Sequence, residues 1–323
     1  MTNYRWRGQY ISSTKITPGD TLEDDPPPFL VEGIVHSTMT LIYGQTLAGK
    51  STIAGALAVA LANGETEFLG HGVNADGPLT VGIITGDPGG AAEYRRRIHA
   101  YVKPDAELYI DSPDRPALAE TWDELYEVCD ERSYQAVIVD NLSNFVDKSL
   151  SDDDEIRRVY INIERFCREG IPVTLLAHTS EKWGERGPSR LPMGSSQIRF
   201  GPRWWCYAYR TKGDLVVEFD GNEGTPYQMR LSEPDGKPRF EVRSDVIDLG
   251  AKRRERGQRY LIGAKMANPF LSVDPQDAKA LAQRTHTVPP AGPVPGYNPF
   301  TSPGMPLSGL DLKAAATLIG PQD

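Results

Sequence analysis

The 323-residue chain carries 35 Lys and Arg against 44 Asp and Glu, for a formal net charge of −9, with 39% hydrophobic and 24% charged residues. This leaves room for one large domain with appendages and excludes a protein coated in basic surface for nucleic acid, although a local basic loop facing a channel can act despite an acidic exterior. The longest apolar run, Ile53 to Ala62, is too short to span a bilayer. The first residues hold no apolar signal core, and Cys129, Cys167 and Cys206 form neither a metal pattern nor a disulfide framework. No membrane association and a reducing, cytoplasmic location are therefore expected.

Residues 1–28 are a polar lead-in ending in Asp-Asp-Pro-Pro-Pro, a stiff extended stretch. Phe29 to Gly33 then enters the core. Residues 38–43, Thr-Met-Thr-Leu-Ile-Tyr, read as a strand, and the Ala-rich run from Thr52 to Ala62 reads as a helix. Between them stand Gly44, Gln45, Thr46, Leu47, Ala48, Gly49, Lys50 and Ser51, which spell G-x-x-x-x-G-K-S. Strand, glycine-rich loop and helix are the context this phosphate-binding motif requires. Backbone N–H groups of the loop and the helix N-terminus would face the phosphates of ATP, Lys50 would reach the β- and γ-phosphates, and Ser51 would ligate Mg²⁺.

Val81 to Thr85 is a second buried strand, followed by a turn over 86–90 and an Arg-rich helix from Ala91 to Tyr101. Leu108 to Ile110 reads as a short strand, and Pro116 to Arg132 as a helix with Leu118, Trp122, Leu125, Tyr126 and Cys129 at helical spacing. Ala136 to Asp140 (A-V-I-V-D) is a buried strand ending in an acid. Asp140 either delivers a carboxylate to the Mg²⁺ water shell or caps a turn. Ser151 is the expected cap of a helix with Ile156, Val159, Tyr160, Ile163, Phe166 and Cys167 on its apolar face, stopped at Gly170. Ile171 to Ala177 is the next strand. His178 at its tip is placed either to contact the γ-phosphate or as a hydrogen-bonded loop histidine.

Short apolar strands alternating with amphipathic helices imply a parallel sheet covered on both faces. From Trp204 onward, short strands (205–210, 215–219, 227–231 and 239–243) separated by Gly, Asp and Asn read as an antiparallel extension, with the domain ending near 248. Residues 249–285 form a basic segment, expected to be helical. Residues 250–265 hold six cations, Lys252, Arg253, Arg254, Arg256, Arg259 and Lys265, against Glu255. That cluster is either a nucleic-acid contact or a solvated charged helix. Residues 286–323 are rich in Pro and Gly and expected to be disordered, with a short helix possible over 310–318.

In order along residues 29 to 245, F-L-V-E-G-I-V, L-I-Y-G-Q-T-L-A-G-K-S-T, I-I-T-G-D-P, V-I-V-D-N-L, L-L-A-H-T-S-E-K and G-S-S-Q-I-R-F-G-P-R-W together resemble the RecA-like ATPases. Within them they resemble the RepA-type hexameric helicases and related AAA-family domains of phage and plasmid replication. The resemblance implies a RecA-like α/β P-loop fold, a mostly parallel sheet with helices on both faces. It implies ATP and Mg²⁺ bound over Gly44 to Thr52 with Asp140, and catalytic roles for Lys50 and His178. It implies a helicase-like ATP hydrolase that forms a homo-oligomeric ring or filament on single-stranded DNA; separately from the resemblance, the C-terminal tail is expected to recruit other replication proteins. Residues 181–194 would match the loop facing the DNA channel; they hold Lys182, Trp183, Arg186 and Arg190 with Glu181 and Glu185. Cations with an aromatic suit a single strand, and a loop of solvated charges fits the same residues.

Two departures stand out. Gly86 occupies the place of the family's catalytic Glu, which leaves Asp87 as the substitute acid and makes slow turnover an expectation; a large gain in turnover on restoring Glu at 86 would mark the natural protein as an intrinsically slow ATPase. The late-strand basic residues that reach a neighbour's nucleotide are replaced by an acidic stretch over 219–224, leaving Arg203, Arg210 and Lys212 as candidates. An alternative reading is therefore a slow or inactive ATPase that serves as a nucleotide-gated scaffold or regulatory protein.

Overall fold

In this computed structural model the described residues are 2–6, 9–13, 27–180, 183–184, 187–188, 190–211, 213–232 and 240–251. Lys182, Arg186, Glu181, Glu185, Lys212, the cation cluster from Lys252 on and the Pro-rich tail lie outside them. The polar lead-in contains a hairpin that its composition does not announce: β1 (Thr2–Trp6) pairs antiparallel with β2 (Gln9–Ser13). A second hairpin, β3 (Phe29–Val31) with β4 (Val35–His36), leads into β5 (Met39–Gly44), which is buried throughout.

Helix α1 (Lys50–Ala62) follows β5, and a small hairpin of β6 (Glu67–Phe68) and β7 (His71–Gly72) leads to β8 (Val81–Thr85). Next come α2 (Gly90–Ile98), which ends in a 3-10 turn over His99–Tyr101, and β9 (Leu108–Asp111). Helix α3 (Ala119–Glu131), β10 (Ala136–Asp140), α4 (Asp153–Arg168) and β11 (Val173–His178) complete the alternation. The α4 cap is Asp152 rather than Ser151: its carboxylate accepts from the N–H of Asp154 and Glu155, so the first-turn acids begin one residue later than expected.

The β11 tip runs into a two-residue pairing of β12 (Trp183–Gly184) with β13 (Gly187–Pro188), then the short α5 (Gln197–Phe200). β14 (Trp204–Thr211) and β15 (Asp214–Gly221) form an antiparallel hairpin. β14 itself, however, lies parallel to β5, with Trp204 opposite Thr40 and Ala208 opposite Gly44. The antiparallel extension therefore begins at β15, one strand later than the sequence pattern indicates. In sheet order the strands run β15-β14-β5-β11-β10-β8-β9, and the six from β14 to β9 are parallel. This is a RecA-like α/β P-loop arrangement: β11 sits between the strand that feeds the glycine loop and the strand that ends in Asp140.

The strand faces explain the two helical layers. Met39, Leu41 and Tyr43 of β5, Val137 and Val139 of β10, and Leu175 and Ala177 of β11 alternate onto one face. There they pack with Trp122 and Leu125 of α3 and Ile156, Val159, Ile163 and Phe166 of α4. On α1, Gly55 allows close approach of α2, because a Cβ there would lie 3.0 Å from Ile98. Burial pushes the thiol of buried Cys129 up to about 11 and that of half-buried Cys167 up to about 12, which disfavours the thiolate at both.

By compactness the chain divides in two. The first unit takes residues 1–224 and 230–243, and the second takes 225–229 and 244 onward. The last strands, β16 (Tyr227–Ser232) and β17 (Glu241–Asp248), each hold residues of both; β17 runs five residues beyond the expected strand end at Arg243.

Candidate nucleotide site

The loop over 44–50 is shaped by two left-handed residues, Leu47 at φ 62 and Gly49 at φ 102. Such a turn directs successive N–H groups into one concavity, which favours an anion. Helix α1 starts at Lys50 with no side-chain cap and no acid in its first turn, so its leading N–H groups keep no side-chain partner. Leu47 stands 88% exposed at the loop apex.

Lys50 is buried beneath the loop. Its Nζ donates to the carbonyls of Gly44 (3.1 Å) and Gln45 (2.9 Å) and lies 3.3 Å from His178 Nδ1. Burial lowers its pKa to about 8, opposed by the Asp140 charge. The ammonium is therefore under-compensated and suited to receiving phosphate oxygens.

Asp140 is also buried, and its Oδ2 accepts from Ser51 Oγ at 2.7 Å and from Tyr94 OH at 2.7 Å. Burial raises its pKa, and the two hydroxyls with Lys50 only partly offset this. A buried carboxylate short of positive charge beside a serine hydroxyl is a hard-oxygen pair that fits Mg²⁺, which takes one or two protein oxygens and completes its shell with water and phosphate. Among the described residues no group of three or more His, Cys, Asp or Glu could hold a metal ion.

Asp87 lies in the turn after β8, and Asn144 Nδ2 (2.6 Å) and Asn141 Nδ2 (3.2 Å) donate to its two oxygens. Its charge is felt at Asp140. Gly86 beside it has no room for a side chain: a Cβ would meet Asn144 Cβ at 2.6 Å. A glutamate at 86 would therefore have to displace Asn144, so that variant does not cleanly restore the family pattern.

The structure thus brings Gly44 to Thr52, Asp87, Asp140 and His178 to one edge of the sheet. The other described candidates behave differently from one another. Arg210 Nε donates to Leu47 O of its own chain at 3.3 Å, so it reaches this loop rather than standing ready only for a neighbour's. Arg190 is taken up by the sheet, 5.5 Å above both the Tyr207 and Tyr209 rings and 3.5 Å from Glu218. Tyr94, Asn141 and Asn144 were not legible as site residues; only the adjacency of Asn141 to Asp140 offered a signal. Two clefts, about 440 Å³ beside α4 and α5 and about 620 Å³ near Pro78 and Pro172, are lined by none of these residues.

The sequence matches the AAA domain family over residues 12–183, just over half the chain. The chain belongs to that family. No curated protein matches it. Among solved structures, a KaiC-like protein from the hyperthermophilic archaeon Pyrococcus horikoshii OT3 is similar, at 15% identity and a TM-score of 0.43, with 66% of this chain and 93% of that chain covered. As an AAA domain the chain is a nucleotide-binding NTPase domain, and Lys50, Ser51 and Asp140 occupy one edge of it. Among the described residues no helix is long and apolar enough to cross a membrane.

Proposed function

We propose that the protein is a cytoplasmic, helicase-like ATPase that works on single-stranded DNA in replication or recombination as a ring or filament of identical chains. The convergence of Lys50, Ser51, Asp140 and His178 on one loop carries the nucleotide part of this reading. The loop N–H groups and Lys50 bind the β- and γ-phosphates of ATP, and Ser51 and Asp140 would hold Mg²⁺. Bound there, Mg²⁺ supplies neutralisation of phosphate charge.

Asp87 accepts a hydrogen bond from the attacking water. The water oxygen bonds to the γ-phosphorus while the bond to the bridging oxygen breaks, its electron pair leaving with ADP. The water proton passes to Asp87 and from there to the released phosphate. His178 is placed to transmit the γ-phosphate state to the β12–β13 turn that follows it in the chain. That turn carries Trp183, with Lys182 and Arg186 beside it in sequence, a composition suited to stacked bases and phosphates.

Gly86 favours a second reading, a slow or inactive ATPase acting as a nucleotide-gated scaffold. Steady-state phosphate release with and without single-stranded DNA separates the two. The motor reading expects release that DNA stimulates; retained ATP binding without release at saturating ATP would favour the scaffold.

A further inference from the structure

The space a side chain at position 86 would use is already filled. A Cβ on Gly86 would lie 2.6 Å from Asn144 Cβ, 3.3 Å from Phe145 Cε2 and 3.3 Å from Pro116 Cβ. Asn144 belongs to a 3-10 turn, Leu142–Phe145, that begins just after Asp140. The turn is fixed from below: Leu142 and Phe145 are buried, and the Phe145 ring packs 5.1 Å from that of Trp122. It is fixed from within as well, because Asn144 N donates to Asn141 O at 3.1 Å and Asn141 Oδ1 accepts from Ser143 N at 3.1 Å and from Ser143 Oγ. Gly86 N donates to Asp140 O at 3.0 Å, which ties the β8 tip to the same place.

From this fixed turn the two carboxamides reach Asp87, one to each oxygen. A carboxylate offers about four lone-pair sites, so each oxygen keeps about one for a further donor.

We infer that Gly86 and Asn144 are a positioning pair: the missing side chain at 86 admits Asn144, and Asn144, with Asn141, aims Asp87 as the acid that orients the attacking water. The acid of the site is thereby moved one residue along the chain, and Gly86 is part of the device rather than a sign of decay. This rests on the proposed reading of the site as an ATP hydrolase.

The test uses the full-length protein and measures ATP affinity by equilibrium titration separately from turnover. Asn144→Ala and Gly86→Ala should each lower kcat about 10- to 100-fold, the scale of a small misplacement of a reacting group, with KM and ATP affinity unchanged. The double variant should be no slower than the worse single one, because both act through one contact. Asn144→Asp keeps the side-chain volume but replaces the donor, and should be as slow as Asn144→Ala; it also covers the case in which Gly86→Ala fails to fold. Parental turnover in Asn144→Asp, additive losses, or an effect confined to KM would overturn the inference. A wild-type protein that binds ATP but never turns it over would overturn it too, while leaving the nucleotide-binding reading standing. A wild-type protein that does not bind ATP would remove both.

Discussion

Replacing Lys50 by methionine separates what the lysine does for the fold from what it does for a nucleotide. Beneath the loop the charged lysine is disfavoured: burial brings its pKa from 10.5 to about 8. At 1.36 kcal/mol per unit, that depression is at most about 3 kcal/mol. The hydrogen bonds lost on substitution leave no orphan, because Gly44 O also accepts from Thr179 N at 3.0 Å and Gln45 O from Ala48 N at 3.1 Å. Methionine fills nearly the same channel without a charge. Lys50→Met should therefore leave the free protein as stable as the parent, or more stable by up to ~3 kcal/mol. At about 2–4 °C per kcal/mol for a domain of this size, that is a rise in Tm of at most ~12 °C. ATP affinity should meanwhile fall at least about 100-fold, since charge-assisted hydrogen bonds to phosphate are each worth about 1.5–3 kcal/mol. Thermal unfolding without nucleotide and an equilibrium ATP titration read the two effects. A Tm lowered by several degrees together with unchanged ATP affinity would refute the reasoning, because it would make Lys50 a structural residue.

Three further outcomes are expected. Because the Lys50 pKa is depressed in the folded state, the unfolded chain keeps its proton between about pH 8 and 10.5 while the folded one has released it; the Lys50 contribution to stability therefore rises with pH across that window. ATP affinity should fall over the same window, as titrations at pH 7 and 9.5 would show, and Lys50→Met should flatten both trends. Tyr94→Phe removes one of the two hydroxyls on Asp140 Oδ2, and should raise the Mg²⁺ concentration needed for ATP binding about 10-fold, the scale seen for partners of metal ligands, with little change in Mg²⁺-free nucleotide affinity. Removing residues 250–323 should weaken binding to single-stranded DNA and flatten its salt dependence while ATP binding survives; an unchanged salt slope would assign DNA contact to the Lys182 to Arg190 loop instead.

The parts of the fold legible in the sequence are those encoded locally. The glycine loop, the Ala-rich helix after it and the apolar strands ending in Asp140 and His178 each sit within a few residues, and their order implied the sheet. The direction of β14 was not local. Its eight residues lead to a turn at Gly213 like a hairpin strand, which is true of its pairing with β15, but its other neighbour is β5, more than 150 residues earlier, where the pairing is parallel. The acid that replaces the expected glutamate was visible in the string T-G-D-P. Its holders were not, because Asn141 and Asn144 meet Asp87 only after β8 and β10 align side by side. Tyr94 was hidden for the same reason, as an ordinary aromatic of an Arg-rich helix until α2 packs over α1 and turns its hydroxyl to Asp140.

A crystal structure of the protein with a non-hydrolysable ATP analogue and Mg²⁺ tests the central claim most directly. The account predicts the triphosphate wrapped by the backbone of residues 45–51, the γ-phosphate within hydrogen-bond distance of Lys50 Nζ, and Ser51 Oγ turned from Asp140 to the metal. An analogue bound elsewhere on the chain, with Lys50 still on the Gly44 and Gln45 carbonyls and Ser51 still on Asp140, would contradict it.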